Sequence, residues 1–114
     1  RERPAIATCA IIENGVIRIM SSAGYSTLFK ASAADVARLL GKACAGSDHA
    51  FWPDDISLRN ERLFDVERLH GPRQITAAYL LALAIAKGGR FVTLDAAIPM
   101  SPVRKAAKEH LVVL

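Results

Sequence analysis

The chain has 114 residues, enough for one domain with a real core and too few for two. Its 52% hydrophobic and 23% charged content is the balance of a globular chain and excludes disorder as the default. The formal charge of +4 permits a polyanionic partner without demanding one, and no apolar run has the length of a membrane span or the form of a secretory leader, so a cytoplasmic protein is expected.

The chain opens Arg-Glu-Arg-Pro with no initiator Met and is soon in apolar sequence, the start expected of a protein entered partway through. "AIATC" is a short β-compatible stretch, after which the period changes. Ile12, Val16, Ile19 and Met20 fall at helical spacing, with Gly24 as the predicted stop. Glu13 lies in the first turn of that helix, where the dipole favours an anion. Arg18, five residues on, can pair with it or face solvent.

"SAADVARLLGKACAG" is an amphipathic helix. Ser32 and Asp35 form a capping box, Val36, Leu39, Leu40 and Ala43 give the buried face, and Gly46 ends it. "HAFW" is a short strand closed by Pro53, with Phe51 and Trp52 expected in the core. "ISLRNERLFDVERLHGP" has helical composition, with Leu58, Leu63, Val66 and Leu69 as candidate core contacts, until Gly71 and Pro72 break it.

From Thr76, the expected helix cap, to Lys87 the next helix is apolar on nearly every side, the mark of burial within a layered fold. Gly88-Gly89 reverses the chain into "RFVTL", which has the continuous apolar character of an interior parallel strand. "SPVRKAAKEH" is predicted as a last helix with a basic outer face and "LVVL" as a closing strand. Strands alternating with helices define an α/β fold with a mostly parallel sheet, in which ligands sit just beyond the carboxyl ends of the strands. Asp95 ends a strand in that way. It can equally cap the turn of Ala96, Ala97 and Ile98, and pattern alone leaves both readings open. Thr93, two residues back, is placed on the same face and can hydrogen-bond in either case.

Other polar residues have plainer roles. Cys9 and Cys44 lack metal-ligand spacing and are read as reduced, buried thiols. His49, His70 and His110 are scattered, without metal spacing, and are read as structural or surface residues. Asp54 and Asp55 form an acidic pair suited to a turn or cap. There is no P-loop, no dinucleotide fingerprint and no nucleophile elbow.

Three stretches, taken in order, resemble the PIN-domain proteins, and most closely the VapC toxins of prokaryotic type II toxin–antitoxin pairs: "ATCAIIENGVIRIMSSAGY", "FWPDDISL", and "GPRQITAAYLLALAIAKGGRFVTLDAAI" followed by "HLVVL". The resemblance implies a three-layer α/β sandwich and a small metal-dependent ribonuclease. Acidic side chains at the strand ends would hold Mg²⁺ or Mn²⁺, hard cations that suit carboxylate and water oxygens. Carried over residue by residue, Glu13 falls where the family's "TENG"-like acid lies. Asp95 falls on the acid of the strand-end T-x-D, with Thr93 as its hydroxyl. Both are candidate metal ligands and catalytic residues.

The chain also departs from the family. Where the family's helix starts T-D-A-Y, this one reads Thr76-Ala77-Ala78-Tyr79, so the expected acid is replaced by Ala77. The family's first strand, with its own acid, would lie before Arg1. The resemblance therefore implies a single PIN-like domain over residues 1–114, N-terminally incomplete and inactive or nearly so as written. Implied partners are an RNA substrate, a VapB-like antitoxin whose inserted Arg would suit an acidic pocket, and a second copy in a homodimer. Arg18, Arg73, Arg90, Arg104 and Lys105 are candidates to attract the RNA backbone. A non-catalytic interaction module is the competing reading. A phosphoryl-accepting role for Asp95 lacks the acidic pair and placed Lys it would need.

Overall fold

The structure is a computed structural model that describes residues 6–22, 31–46 and 48–114. These form two compact units, one ending at Asp54 and the other running from Asp55 to Leu114. The predicted stop at Gly24 lies outside the described residues.

Among the described residues the first unit opens with strand β1, Ile6–Cys9, which passes without a linker into helix α1, Ala10–Met20. Helix α2, Ala33–Ala43, packs on α1, and strand β2, His49–Trp52, pairs parallel with β1 in the register Ile6↔His49 to Cys9↔Trp52. The capping box at the head of α2 forms as predicted. Ser32 Oγ accepts the Asp35 N–H at 3.0 Å, and an Asp35 carboxylate oxygen accepts the Ser32 N–H at 3.2 Å. Only Val36 of the predicted face is buried; Leu39 is half exposed and Ala43 exposed, because α2 presents a single stripe to α1. Phe51, expected in the core, is 53% exposed on β2.

The capping bonds have a pH consequence. The Ser32 N–H, then the Ser32 hydroxyl and the Arg38 guanidinium, hold the Asp35 carboxyl below its ordinary 3.8. A depressed carboxylate stabilises the fold above the unfolded-state value and loses that contribution as pH falls through the lower folded value. Helicity of the first unit should therefore fall in the acid range below pH 3.8, as read by far-ultraviolet circular dichroism. Ser32→Ala should remove the Asp35 N–H to Ser32 Oγ bond, leaving the backbone bond to the Asp35 carboxylate, and cost about 1 kcal/mol at neutral pH.

The second unit is built on helix α3, Arg73–Ala86. It begins three residues before Thr76, with Pro72 at the cap position, so Thr76 is no cap: Pro fixes φ where a helix must start. Ala78, Tyr79, Leu81, Ala82, Leu83 and Ala84 are buried, the enclosed helix that the sequence predicts. Its end is a Schellman turn: Gly89 N–H reaches Ala84 O at 2.7 Å and Gly88 N–H reaches Ile85 O at 3.0 Å. Gly88 takes φ 78°, a conformation that favours glycine.

Strand β3, Phe91–Thr93, then pairs parallel with β4, Leu111–Val113. The protein is thus α/β with parallel strand pairing, compatible with a PIN-like fold, as the sequence implies. Two predicted helices are not formed. Residues 56–72 make turns and one 3₁₀ turn, Val66–Arg68, and residues 101–110 make turns and a second, Lys108–His110. The physical reason is mutual support: Asp65 N–H bonds Pro102 O at 2.8 Å and Arg104 N–H bonds Leu63 O at 3.0 Å, so backbone groups are satisfied across the two segments. Phe64 and Val103 meet at an antiparallel bridge and are both buried, while Val66 is exposed.

Candidate functional site

The sequence-predicted acids lie one in each unit. Glu13 is in the first turn of α1, immediately beyond the carboxyl end of β1, and is half-buried. Its Oε2 accepts the hydroxyl proton of Thr8 at 2.6 Å. Thr8 Oγ1 also lies 2.8 Å from His49 Nε2. Because the Thr8 proton is directed to the carboxylate, the His49 ring donates to the hydroxyl, giving a relay His49–Thr8–Glu13. The register explains the contact. Ile6 pairs with His49 and Thr8 with Phe51, so Thr8 and His49 share one face of the strand pair.

Cys44 completes this group. It is the C-cap residue of α2, half-buried, and one ligating atom from each of Glu13, Cys44 and His49 lies within 4.8 Å of the others. The sequence reading took both the cysteine and the histidine as bland, since they are separated in the chain from Glu13 and carry no motif. No local spacing could have found them; only the β1–β2 pairing and the end of α2 bring them together. Cys9, by contrast, is buried as expected, and burial, reinforced by nearby Asp54, pushes its thiol above 9.0.

Asp95 follows β3 and is exposed. Its N–H donates to Thr93 Oγ1 at 3.0 Å, and its Oδ1 accepts the Ala97 N–H at 2.8 Å. The turn-capping geometry considered from sequence is therefore formed. The strand ends at Thr93, so the link between Thr93 and Asp95 runs through the turn backbone and not across a shared strand face. One carboxylate oxygen stays outside these bonds, and a carboxylate offers about four acceptor directions, so capping and ligation are compatible.

Ala77 is half-buried in the second turn of α3, whose first turn has no acidic residue. Arg18 is exposed in the last turn of α1 and Arg73 is exposed at the start of α3. Arg90 and Lys105 are exposed. Arg104 is instead engaged, its Nε donating to Glu61 O and its Nη1 lying 4.0 Å from the Asp65 carboxylate, which also binds Arg68 at 3.0 Å. Asp55 is paired with Lys87 at 2.8 Å, the ammonium holding its carboxyl below 3.8, where the sequence had suggested a cap. His110 is structural: its Nδ1 accepts the Ala107 N–H at 2.9 Å.

Among curated proteins the chain is similar to Ribonuclease VapC44 of Mycobacterium tuberculosis, 43% identical over 108 residues, spanning 95% of this chain and 75% of that protein. It is also similar to Ribonuclease VapC39 of the same organism, 36% identical over 92 residues, which are 81% of this chain and 66% of the relative. Ribonuclease VapC38 is 40% identical over 93 residues, covering 81% and 62%. No family model matches the chain, and no solved structure does. The extent and identity of these likenesses define the class: the chain belongs to the VapC family of PIN-domain ribonuclease toxins.

Proposed function

We propose that the chain is a metal-dependent RNA endonuclease of the toxin class whose catalysis is disabled at Ala77. The observation that carries this reading is the 43% identity over 95% of the chain to a protein named a ribonuclease. The family's Mg²⁺ or Mn²⁺ is a hard cation, and the donor chemistry of the two acids fits it. Glu13 and Asp95 each accept from neutral donors, a hydroxyl and an amide, so their charge is available to a cation. When bound, the ion lowers the pKa of a water and offsets charge on the scissile phosphate.

The protein's own groups do the positioning. Thr8 holds Glu13 through its hydroxyl, while Thr93 takes the Asp95 N–H and the Ala97 N–H fixes the carboxylate itself. Each bond narrows the orientations open to the group it reaches. Arg18 and Arg73, both exposed, are suited to attract an RNA backbone without reading its sequence. A VapB-like antitoxin, a homodimer and a cytoplasmic setting belong to the same proposal. Among the described residues no helix is long and apolar enough to cross a membrane.

A mixed RNA pool incubated with the otherwise complete protein, carrying either Ala77 or the Ala77→Asp change, tests the reading. New 5′ ends should appear with the variant in Mg²⁺, vanish with chelator, and vanish again when Asp95→Asn is added. Cleavage that survives Asp95→Asn would remove Asp95 from the site. The second reading, a non-catalytic module that binds an antitoxin or another copy, is favoured by Ala77 itself. It expects partner binding that is indifferent to metal and no cleavage from either variant.

A further inference from the structure

We infer that Glu13, Cys44 and His49 form a binding site for a zinc-class divalent cation. The inference shares Glu13 with the RNA-cleaving reading, in which neither Cys44 nor His49 takes part, so zinc and magnesium would compete for that one carboxylate. Three different side chains converge from three elements: the first turn of α1, the C-cap of α2 and the first residue of β2. Their ligating atoms lie within 4.8 Å of one another. A tetrahedral zinc ion, with bonds of about 2.0–2.3 Å, needs donors roughly 3.3–3.7 Å apart, a separation that small side-chain rotations reach from this starting point.

The donor set decides the metal. A thiolate, an imidazole and a carboxylate are the mixture that borderline-soft Zn²⁺ takes, whereas Mg²⁺ and Mn²⁺ prefer oxygen alone. All three side chains are half-buried, which keeps them dry enough to bind and open enough to admit an ion and a water as fourth ligand. With Nε2–H given to the Thr8 hydroxyl, Nδ1 is the ring nitrogen left to ligate. Thr8 then supplies the second-nitrogen contact that metal-binding histidines use. Its hydroxyl bridges His49 Nε2 and Glu13 Oε2, holding the two side chains toward each other before any ion arrives. An ion held there would tie the end of α2 to the start of β2 and to α1.

Cobalt(II) is the probe, titrated into the full chain under reducing conditions and then challenged with Zn²⁺. The expected result is one equivalent bound with tetrahedral d–d bands and a thiolate-to-cobalt charge-transfer band, bleached by Zn²⁺ and untouched by millimolar Mg²⁺. Cys44→Ser should abolish the charge-transfer band, and His49→Ala, which removes a ligand itself, should weaken Zn²⁺ affinity by more than the roughly 10-fold that loss of a merely supporting group costs. Cys9→Ala should keep the band, because that thiol lies outside the cluster. Circular dichroism checks that each variant is folded; if Cys44→Ser were not, the His49→Ala affinity decides. A missing charge-transfer band, a band that persists in Cys44→Ser, or equal Zn²⁺ affinity in His49→Ala overturns the site.

Discussion

Mg²⁺-dependent RNA cleavage should rise by about 10²–10³-fold when Ala77 is replaced by Asp in the otherwise complete protein, the range associated with one well-placed electrostatic group at a reacting centre. The substitution asks little of the fold. Ala77 is half-buried in the second turn of α3, and the first turn of that helix carries no acid. Asp is a poorer helix former than Ala by up to about 0.7 kcal/mol. A carboxylate near the helix N-terminus recovers a few tenths of a kcal/mol at that depth. Stability should therefore change little while activity changes greatly. Ala77→Asn is the control, with similar size and no charge, and it should recover nothing. Single-turnover cleavage measured across Mg²⁺ concentration separates the outcomes. A gain confined to Asp and dependent on the metal supports a disabled enzyme, whereas equal, negligible rates in all three proteins favour the interaction module.

The elements legible in the sequence are those specified by local chemistry. The Ser32–Asp35 capping box, the enclosed helix before Gly88-Gly89, and the strands at residues 49–52 and 111–113 all follow from caps, turns and apolar runs. The failures share a cause. "ISLRNERLFDVERLHGP" and "SPVRKAAKEH" have helical composition, but each satisfies its backbone on the other, through Asp65 with Pro102 and Leu63 with Arg104. Such long-range pairing leaves no periodic trace in either segment. The same holds for the side chains. Asp95 could be singled out because it ends a short predicted strand, and Glu13 and the T-x-D of Thr93 and Asp95 because their surroundings resemble a family's acid-bearing segments. Cys44 and His49 could not, since what gives them interest is proximity to Glu13, reached by His49 through the β1–β2 pairing and by Cys44 from the end of α2.

That distinction carries a stability prediction with a large effect. Phe64→Ala should destabilise the second unit by about 3–5 kcal/mol, a large share of a typical domain's total of roughly 5–15. Phe64 is 1% exposed and meets Val103, itself 4% exposed, at the bridge joining the two irregular segments. Neither segment has a helix of its own to fall back on there. Removing the ring leaves a cavity between stretches whose backbone bonds, Asp65 to Pro102 and Arg104 to Leu63, depend on their staying together. Val66, a core candidate from sequence, is 51% exposed, so Val66→Ala should cost no more than about 0.5 kcal/mol. Urea denaturation of both variants reads the difference. Phe64→Ala should lower the midpoint strongly at nearly constant slope, and Val66→Ala should barely move it. A reversed order would mean that residues 56–72 pack through the helical face the sequence suggests. Because Asp95 belongs to the same unit, Phe64→Ala should also melt the Thr93–Asp95–Ala97 turn at temperatures the parent withstands. Loss of cleavage in that background would then report unfolding, and the Asp95→Asn comparison must be made with Phe64 intact.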